Sequence, residues 1–423
     1  MNDMSSMSRE SRKDQLRRRM ITPGTPRRLP EEDSEEVVKR AHKKAVRRRL
    51  RVLAAVLVLL AVCAGVLYWY QRFYQLKTAV PGWERQLERE EGSFVGYERF
   101  GENLLKYSKD GASYIDASGK DVWILSYEMN APVAAVCGDY AVIADQQGNR
   151  LYICDLTGCQ GEASTALPIV KATVSAQGVA AVILEDPTAS YIYFYRKDGT
   201  EIQLYMKGIL GGEIGYPLDI SLSPDGTMLM GSYVYVEGGV LRNRVAFYNF
   251  SEVGKNALNR FVGGFHEMYE GSLVPEVGYM DDVYSVAFAD SSISFYSSRD
   301  VMSPQLLVQI PVEEEIRSVF YSGRWAGVIV TPESGDASCR MDLYQPDGKL
   351  VFSREFSYDY DHVDIDGDWI FLYNENSCRI YNRYGNLKYE GTFDFTVSKI
   401  TKGRLPGEII VTGPQMIQQI KLH

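Results

Sequence analysis

Between Val52 and Tyr70 the chain reads VLAAVLVLLAVCAGVLYWY, nineteen consecutive residues without a charge. A helix rises about 1.5 Å per residue, so the run reaches roughly 28 Å, close to the thickness of a hydrocarbon core. A helix that packs inside a globular core keeps a polar stripe, and this run has none. Secretory signal cores are only about 7–15 residues long and sit behind short leaders, whereas 51 residues precede Val52. The stretch is therefore expected to be an uncleaved transmembrane helix, residues 52–70.

The flanks orient it. Lys39, Arg40, Lys43, Lys44, Arg47, Arg48, Arg49 and Arg51 precede the run, against Arg72, Lys77, Arg85 and Arg89 after it. This asymmetry places the amino terminus in the cytoplasm and residues 71–423 outside, with Tyr68, Trp69, Tyr70, Phe73 and Tyr74 as an aromatic anchor at the outer interface. Residues 1–51 carry 16 Lys+Arg against 8 Asp+Glu, and the remainder 30 against 47, so a basic arm of net +8 precedes a body of net −17. With breakers at Pro23-Gly24, Pro26 and Pro30, the arm reads as disordered, and residues 31–50 as a charged helix leading into the span. Beside a span, such a run sets topology and contacts anionic lipid, so no nucleic acid partner is expected.

Residues 71–91 read as a stalk, broken at Pro81-Gly82, and the folded body as residues 92–423. From Gly92 onward Tyr, Val and Ile alternate with polar residues between Gly and Asp-Gly turns, the pattern of short antiparallel strands. One recurring element is a turn entering a strand: Gly138-Asp139-Tyr140-Ala141-Val142-Ile143, Gly323-Arg324-Trp325-Ala326-Gly327-Val328, Gly367-Asp368-Trp369-Ile370-Phe371-Leu372 and Gly407-Glu408-Ile409-Ile410-Val411, with looser copies at Gly101, Gly178, Gly226 and Asp281. A second is an apolar-aromatic pair entering a polar turn, as in Phe194-Tyr195-Arg196-Lys197-Asp198-Gly199, Leu343-Tyr344-Gln345-Pro346-Asp347-Gly348 and Ile380-Tyr381-Asn382-Arg383-Tyr384-Gly385. The spacing averages about 44 residues, the length of a four-stranded propeller blade. The expected fold class is all-β: a β-propeller of eight blades, with seven as the alternative. Because the chain stops after a third strand at 416–422, the segment 93–100 is expected to supply the missing outer strand or to complete the first blade.

The Ser223-Pro224-Asp225-Gly226 turn and the apolar-Tyr-x-x-x-Gly turns resemble the repeats of the WD-repeat-like and TolB-like propeller superfamily. The layout over residues 40–423 is similar to an uncharacterised membrane-anchored propeller family of Gram-positive bacteria, a domain of unknown function. The resemblance implies a propeller and a membrane anchor, and carries no catalytic residue with it.

Chemistry is sparse. Of four histidines only His266 and His362 lie in the folded part, which excludes a multi-histidine metal site. Asp359, Asp361, His362, Asp364, Asp366 and Asp368 could project carboxylates from an extended segment, but they lack a calcium-loop spacing and read first as a solvated turn. No metal or cofactor is expected. Glu213, Asp219, Glu276 and Asp282 supply the carboxylates a glycosidase would need, without a spacing that assigns them. No Gly-x-Ser-x-Gly elbow is present. The interval from Phe247 to Asp281 is longer than a strand-to-strand turn requires, and His266, Glu267 and Tyr269 within it are candidate contact residues, with Asp359, Asp361, His362 and Asp364 as a second set. Cys63 lies in the span; Cys137, Cys154, Cys159, Cys339 and Cys378 follow it, and only Cys154 and Cys159 flank a turn tight enough for a local bridge, free thiols being the simpler reading. The function expected is a noncatalytic module, a sensor or envelope scaffold binding protein, peptide or glycan through propeller loops. The alternative is a carbohydrate-active hydrolase or lyase using loop carboxylates.

Overall fold

The computed structural model describes residues 34–87, 94–212 and 214–423; most of the basic arm, residues 1–33, lies outside them, as does Glu213. Two units emerge, residues 1–71 and 72–423. In the first, a single helix begins at Ser34 and continues to Phe73. Its stretch His42–Tyr70 is long and apolar enough to cross a membrane, with no part of the apolar window buried by protein. The segment read as a charged helix leading into the span, residues 31–50, is helical from Ser34 onward and continuous with it.

The second unit is an eight-bladed β-propeller. Eight antiparallel four-stranded sheets follow one another: blade 1 at residues 95–126, blade 2 at 132–164, blade 3 at 169–208, blade 4 at 216–265, blade 5 at 276–311, blade 6 at 315–356, blade 7 at 362–392 and blade 8 at 399–422. The eight turn-strand copies in the sequence are the eight turns between the inner and second strands of the blades. The second recurring element is the turn between third and fourth strands. In most copies of both turns a glycine takes a backbone that a Cβ disfavours, as at Gly138 (φ 57°) and Gly348 (φ 79°).

Each blade has apolar residues on both faces, because both faces are covered by neighbours. The core is accordingly divided into eight hydrophobic clusters, one per blade interface. The seam between blades 8 and 1 is the thinnest. Among the described residues it has five buried members, Tyr97, Leu104, Ile115, Ile410 and Ile417, whereas the other interfaces have ten to twelve.

Of the two places expected for the segment 93–100, it takes the second: Val95–Phe100 completes blade 1 as its inner strand. The outer strand of blade 8 is instead Ala79–Gln86, which corrects the reading of that segment as a stalk. It pairs with Met416–Leu422, Ala79 opposite Leu422 and Gln86 opposite Met416. Pro81-Gly82 does not end the strand. It falls at a register shift between Pro81 and Glu84, which an outer strand tolerates because one edge needs no ladder donors. The same strand grips blade 1: Trp83 Nε1 donates to the Ala117 carbonyl at 2.6 Å, and Arg85 pairs with Asp121 at 2.6 Å.

Candidate functional site

The inner strands, where propellers gather their central side chains, carry charges that are mutually engaged. Lys399 of blade 8 reaches Glu98 of blade 1 at 2.6 Å and Asp364 of blade 7 at 3.8 Å. Tyr373 donates to Asp364 at 2.6 Å, and Arg99 pairs with Asp366 at 2.7 Å. Asp219 of blade 4 contacts Lys171 of blade 3 and accepts the Val277 amide of blade 5 at 2.9 Å and the Ile220 amide at 2.7 Å. Burial, reinforced by the Asp219 charge, holds the Glu276 carboxyl above its ordinary range. Both Asp219 oxygens are taken, so the Asp219–Lys171 contact ties blades 3, 4 and 5 together. Asp282 accepts the Asp225 amide of the neighbouring blade at 2.8 Å.

The acidic segment is likewise divided. Asp364 faces a cation of blade 8 and Asp366 one of blade 1, Asp368 lies 3.6 Å from Arg383, and Asp359 and Asp361 are exposed ahead of the strand. His362 lies against the Tyr373 ring, with centroids 5.3 Å apart. Among the described residues no three of these side chain types converge as metal ligands.

In the other predicted set, His266 and Glu267 are exposed, but Tyr269 is completely buried and its hydroxyl meets that of Tyr296 in the core between blades 4 and 5. Tyr269 is a packing residue, not a loop contact. Phe261–Phe265, too, is the outer strand of blade 4. Removing residues 254–272 would therefore take away a strand and a core aromatic.

The true excess lies just upstream. In blade 4 residues 250–260 link the third strand to the fourth, and fold into two short 3-10 turns, Val253–Asn256 and Leu258–Arg260. The insertion is anchored: the Ser251 amide donates to Asn249 Oδ1 at 2.9 Å, and Arg260 donates to the Ser251 carbonyl at 3.0 Å. A Cβ on Gly254 would stand 2.0 Å from the Asn249 carbonyl oxygen, so the backbones can approach this closely only with glycine. Asn259 (φ 53°) and Arg260 (φ 62°) are consecutive left-handed residues, each costing about 1–2 kcal/mol. The strained tip presents Leu258, 85% exposed, beside Phe261, also exposed.

Facing this tip across the rim is the outer strand of blade 3, Glu201–Gly208. Two adjoining clefts of about 440 and 510 Å³ run between them, sharing Lys207, Ile214 and Asn259. The charged residues described in their walls are all basic: Lys207, Arg244, Lys255 and Arg260. Arg244 lies over the Tyr235 ring at 5.1 Å, and Lys255 is held by Glu252 at 2.6 Å. An apolar trough with basic walls, in a body of net −17, is suited to an apolar and acidic partner. The sequence pointed to the right interval through its length, but not to Leu258 or Lys207, since the walls come from two segments with no shared motif.

Cys154 and Cys159 are free thiols that stand directly opposite each other in the ladder of blade 2, Cys154 buried and Cys159 exposed. A hydrogen bond from Cys154 holds the Cys159 thiol below its ordinary value. Alkylation of Cys159 is therefore expected to reach half its maximal rate below the usual thiol midpoint of about pH 8.5. Cys154→Ala should move that midpoint upward, because the thiolate loses its donor. A pH–rate profile read by mass spectrometry checks this, and an unchanged midpoint in the variant counts against the pairing.

Residues 82–422 match a family described as a family of unknown function (DUF5711). The chain belongs to that family. No curated protein matches it in sequence. Among solved structures, BamB from Moraxella catarrhalis is similar at a TM-score of 0.50 and 12% identity, over 81% of this chain and 100% of its own. Sqt1 from Chaetomium thermophilum is similar at 0.50 and 12%, over 78% of this chain and 92% of its own. At such identity the likeness concerns the propeller fold alone, and this member of the family takes its functional reading from its own surface.

Proposed function

We propose that the protein is a single-pass membrane-anchored propeller, amino terminus inside, that binds a protein partner without chemistry, as a sensor or scaffold. The trough between blades 3 and 4 carries this reading. Exposed Leu258 and Phe261 on a strained, anchored insertion face basic walls, and strain maintained away from the core is a mark of function. The membrane placement is supported by the one apolar helix and by the basic excess ahead of it.

Two measurements test it. A membrane-impermeant maleimide applied to intact cells should label Cys159, and labelling only after lysis would reverse the topology. Leu258→Glu and Lys207→Glu should each retain the fold and weaken partner retention from detergent-solubilised membranes at least tenfold, whereas Ile124→Glu, on blade 1, should not. Equal retention by all three variants would remove the trough as the binding surface.

A further inference from the structure

The walls of the trough indicate what kind of partner segment fits. Leu204, Tyr205, Met206 and Lys207 are four consecutive residues of one strand, and all four line the same cleft. Side chains of a strand alternate between its two faces, so a cleft that touches both parities runs along the strand edge. That edge belongs to the outermost strand of blade 3, which has a ladder partner, Ser190–Tyr195, on one side only. Its other row of backbone donors and acceptors opens into the trough. Outer strands of other blades end their sheets as well; this one has a cleft alongside it and a strained, anchored insertion as the opposite wall.

We propose that the trough accepts an extended segment of a partner protein, alternating apolar and acidic residues, which adds as a fifth strand to the edge of Glu201–Gly208. The proposal rests on the trough being the binding surface. Main-chain hydrogen bonds to the edge supply affinity, and the side chains of the added strand alternate between two unlike environments. One is the apolar side of Leu204 and Met206; the other, that of Tyr205 and Lys207, carries a cation. Leu258, Phe261 and Arg260 close the outer wall. Among the described residues of the walls the cations Lys207, Arg244 and Arg260 disfavour basic segments and make acidic ones the complementary class.

The test selects peptides of eight residues from a displayed library on the full-length protein in detergent micelles. Recovered sequences should alternate apolar and acidic residues and lose at least tenfold in affinity against Leu258→Glu and against Lys207→Glu. The best peptide is then N-methylated on alternate amides in its two registers. An added strand turns one set of amides to the edge and the other to solvent, so one register should abolish binding and the other leave it within threefold. If both registers are tolerated while Leu258→Glu still abolishes binding, strand addition is overturned and the trough stands as a binding surface. Recovery of basic or non-alternating peptides, of none, or of peptides indifferent to both substitutions also overturns the proposal; indifference together with unchanged partner retention in the same variants removes the binding reading with it.

Discussion

A chain beginning at residue 88 is expected to melt about 7 °C below one beginning at residue 78, and to self-associate where the longer chain stays monomeric. The shorter chain lacks Ala79–Gln86, so the edge of Met416–Leu422 is left without a partner at the thinnest seam of the ring. An unpaired edge is a template for intermolecular pairing. The loss combines one side of a ladder, the half-buried Trp83 and the Arg85–Asp121 bridge, together about 5 kcal/mol. For a unit of about 350 residues, with an unfolding entropy near 0.7 kcal/mol per degree, that gives the shift stated. Trp83→Ala alone should lower the midpoint by about 3–4 °C, from a cost of about 2–3 kcal/mol. Calorimetry and light scattering report both effects. Coincident melts with both chains monomeric would mean that the ring closes without this strand.

Tyr269→Ala is expected to cost about 4 kcal/mol, or about 6 °C in the same unit. The side chain is fully buried among Phe265, Tyr296 and Val274, so truncation leaves a cavity and takes the Tyr269 partner from the Tyr296 hydroxyl. Tyr269→Phe keeps the packing and loses only the hydroxyl contact, at about 1–2 kcal/mol. Replacing residues 253–259 by a short glycine-serine link should shift the midpoint by less than about 2 °C, since the tip buries little beyond Gly254. Thermal melts of the three variants decide the matter. A Tyr269→Ala variant that melts like the parent but no longer holds its partner would return Tyr269 to the contact surface.

These two outcomes concern positions where local reading and tertiary structure part. Pro81-Gly82 reads as a break because proline lacks a ladder donor, and only the place of its strand at the outside of blade 8 makes that donor dispensable. Tyr269 sits in an interval of unusual length, and an aromatic residue in a long connection has the same local signature whether it turns inward or outward. Asp364 and Asp366 formed a suggestive carboxylate series, yet each faces a cation from another blade, Lys399 of the next one and Arg99 of the first.

What can be read along the chain is whatever repeats locally. The uncharged run from Val52 to Tyr70 prescribes a helix of membrane length, because uninterrupted apolarity over nineteen residues has few other solutions. The turns recurring about every 44 residues point to eight four-stranded blades, and six of the eight hold a glycine in a backbone that a Cβ disfavours. Which segment closes the ring, which carboxylates meet which cations, and where a trough opens are decided by juxtapositions such as Ala79 opposite Leu422, Lys399 beside Glu98, and Lys207 and Asn259 lining one cleft. These partners lie on different blades or at opposite ends of the body, and no periodicity along the chain encodes them. They exist only once the ring brings the blades side by side.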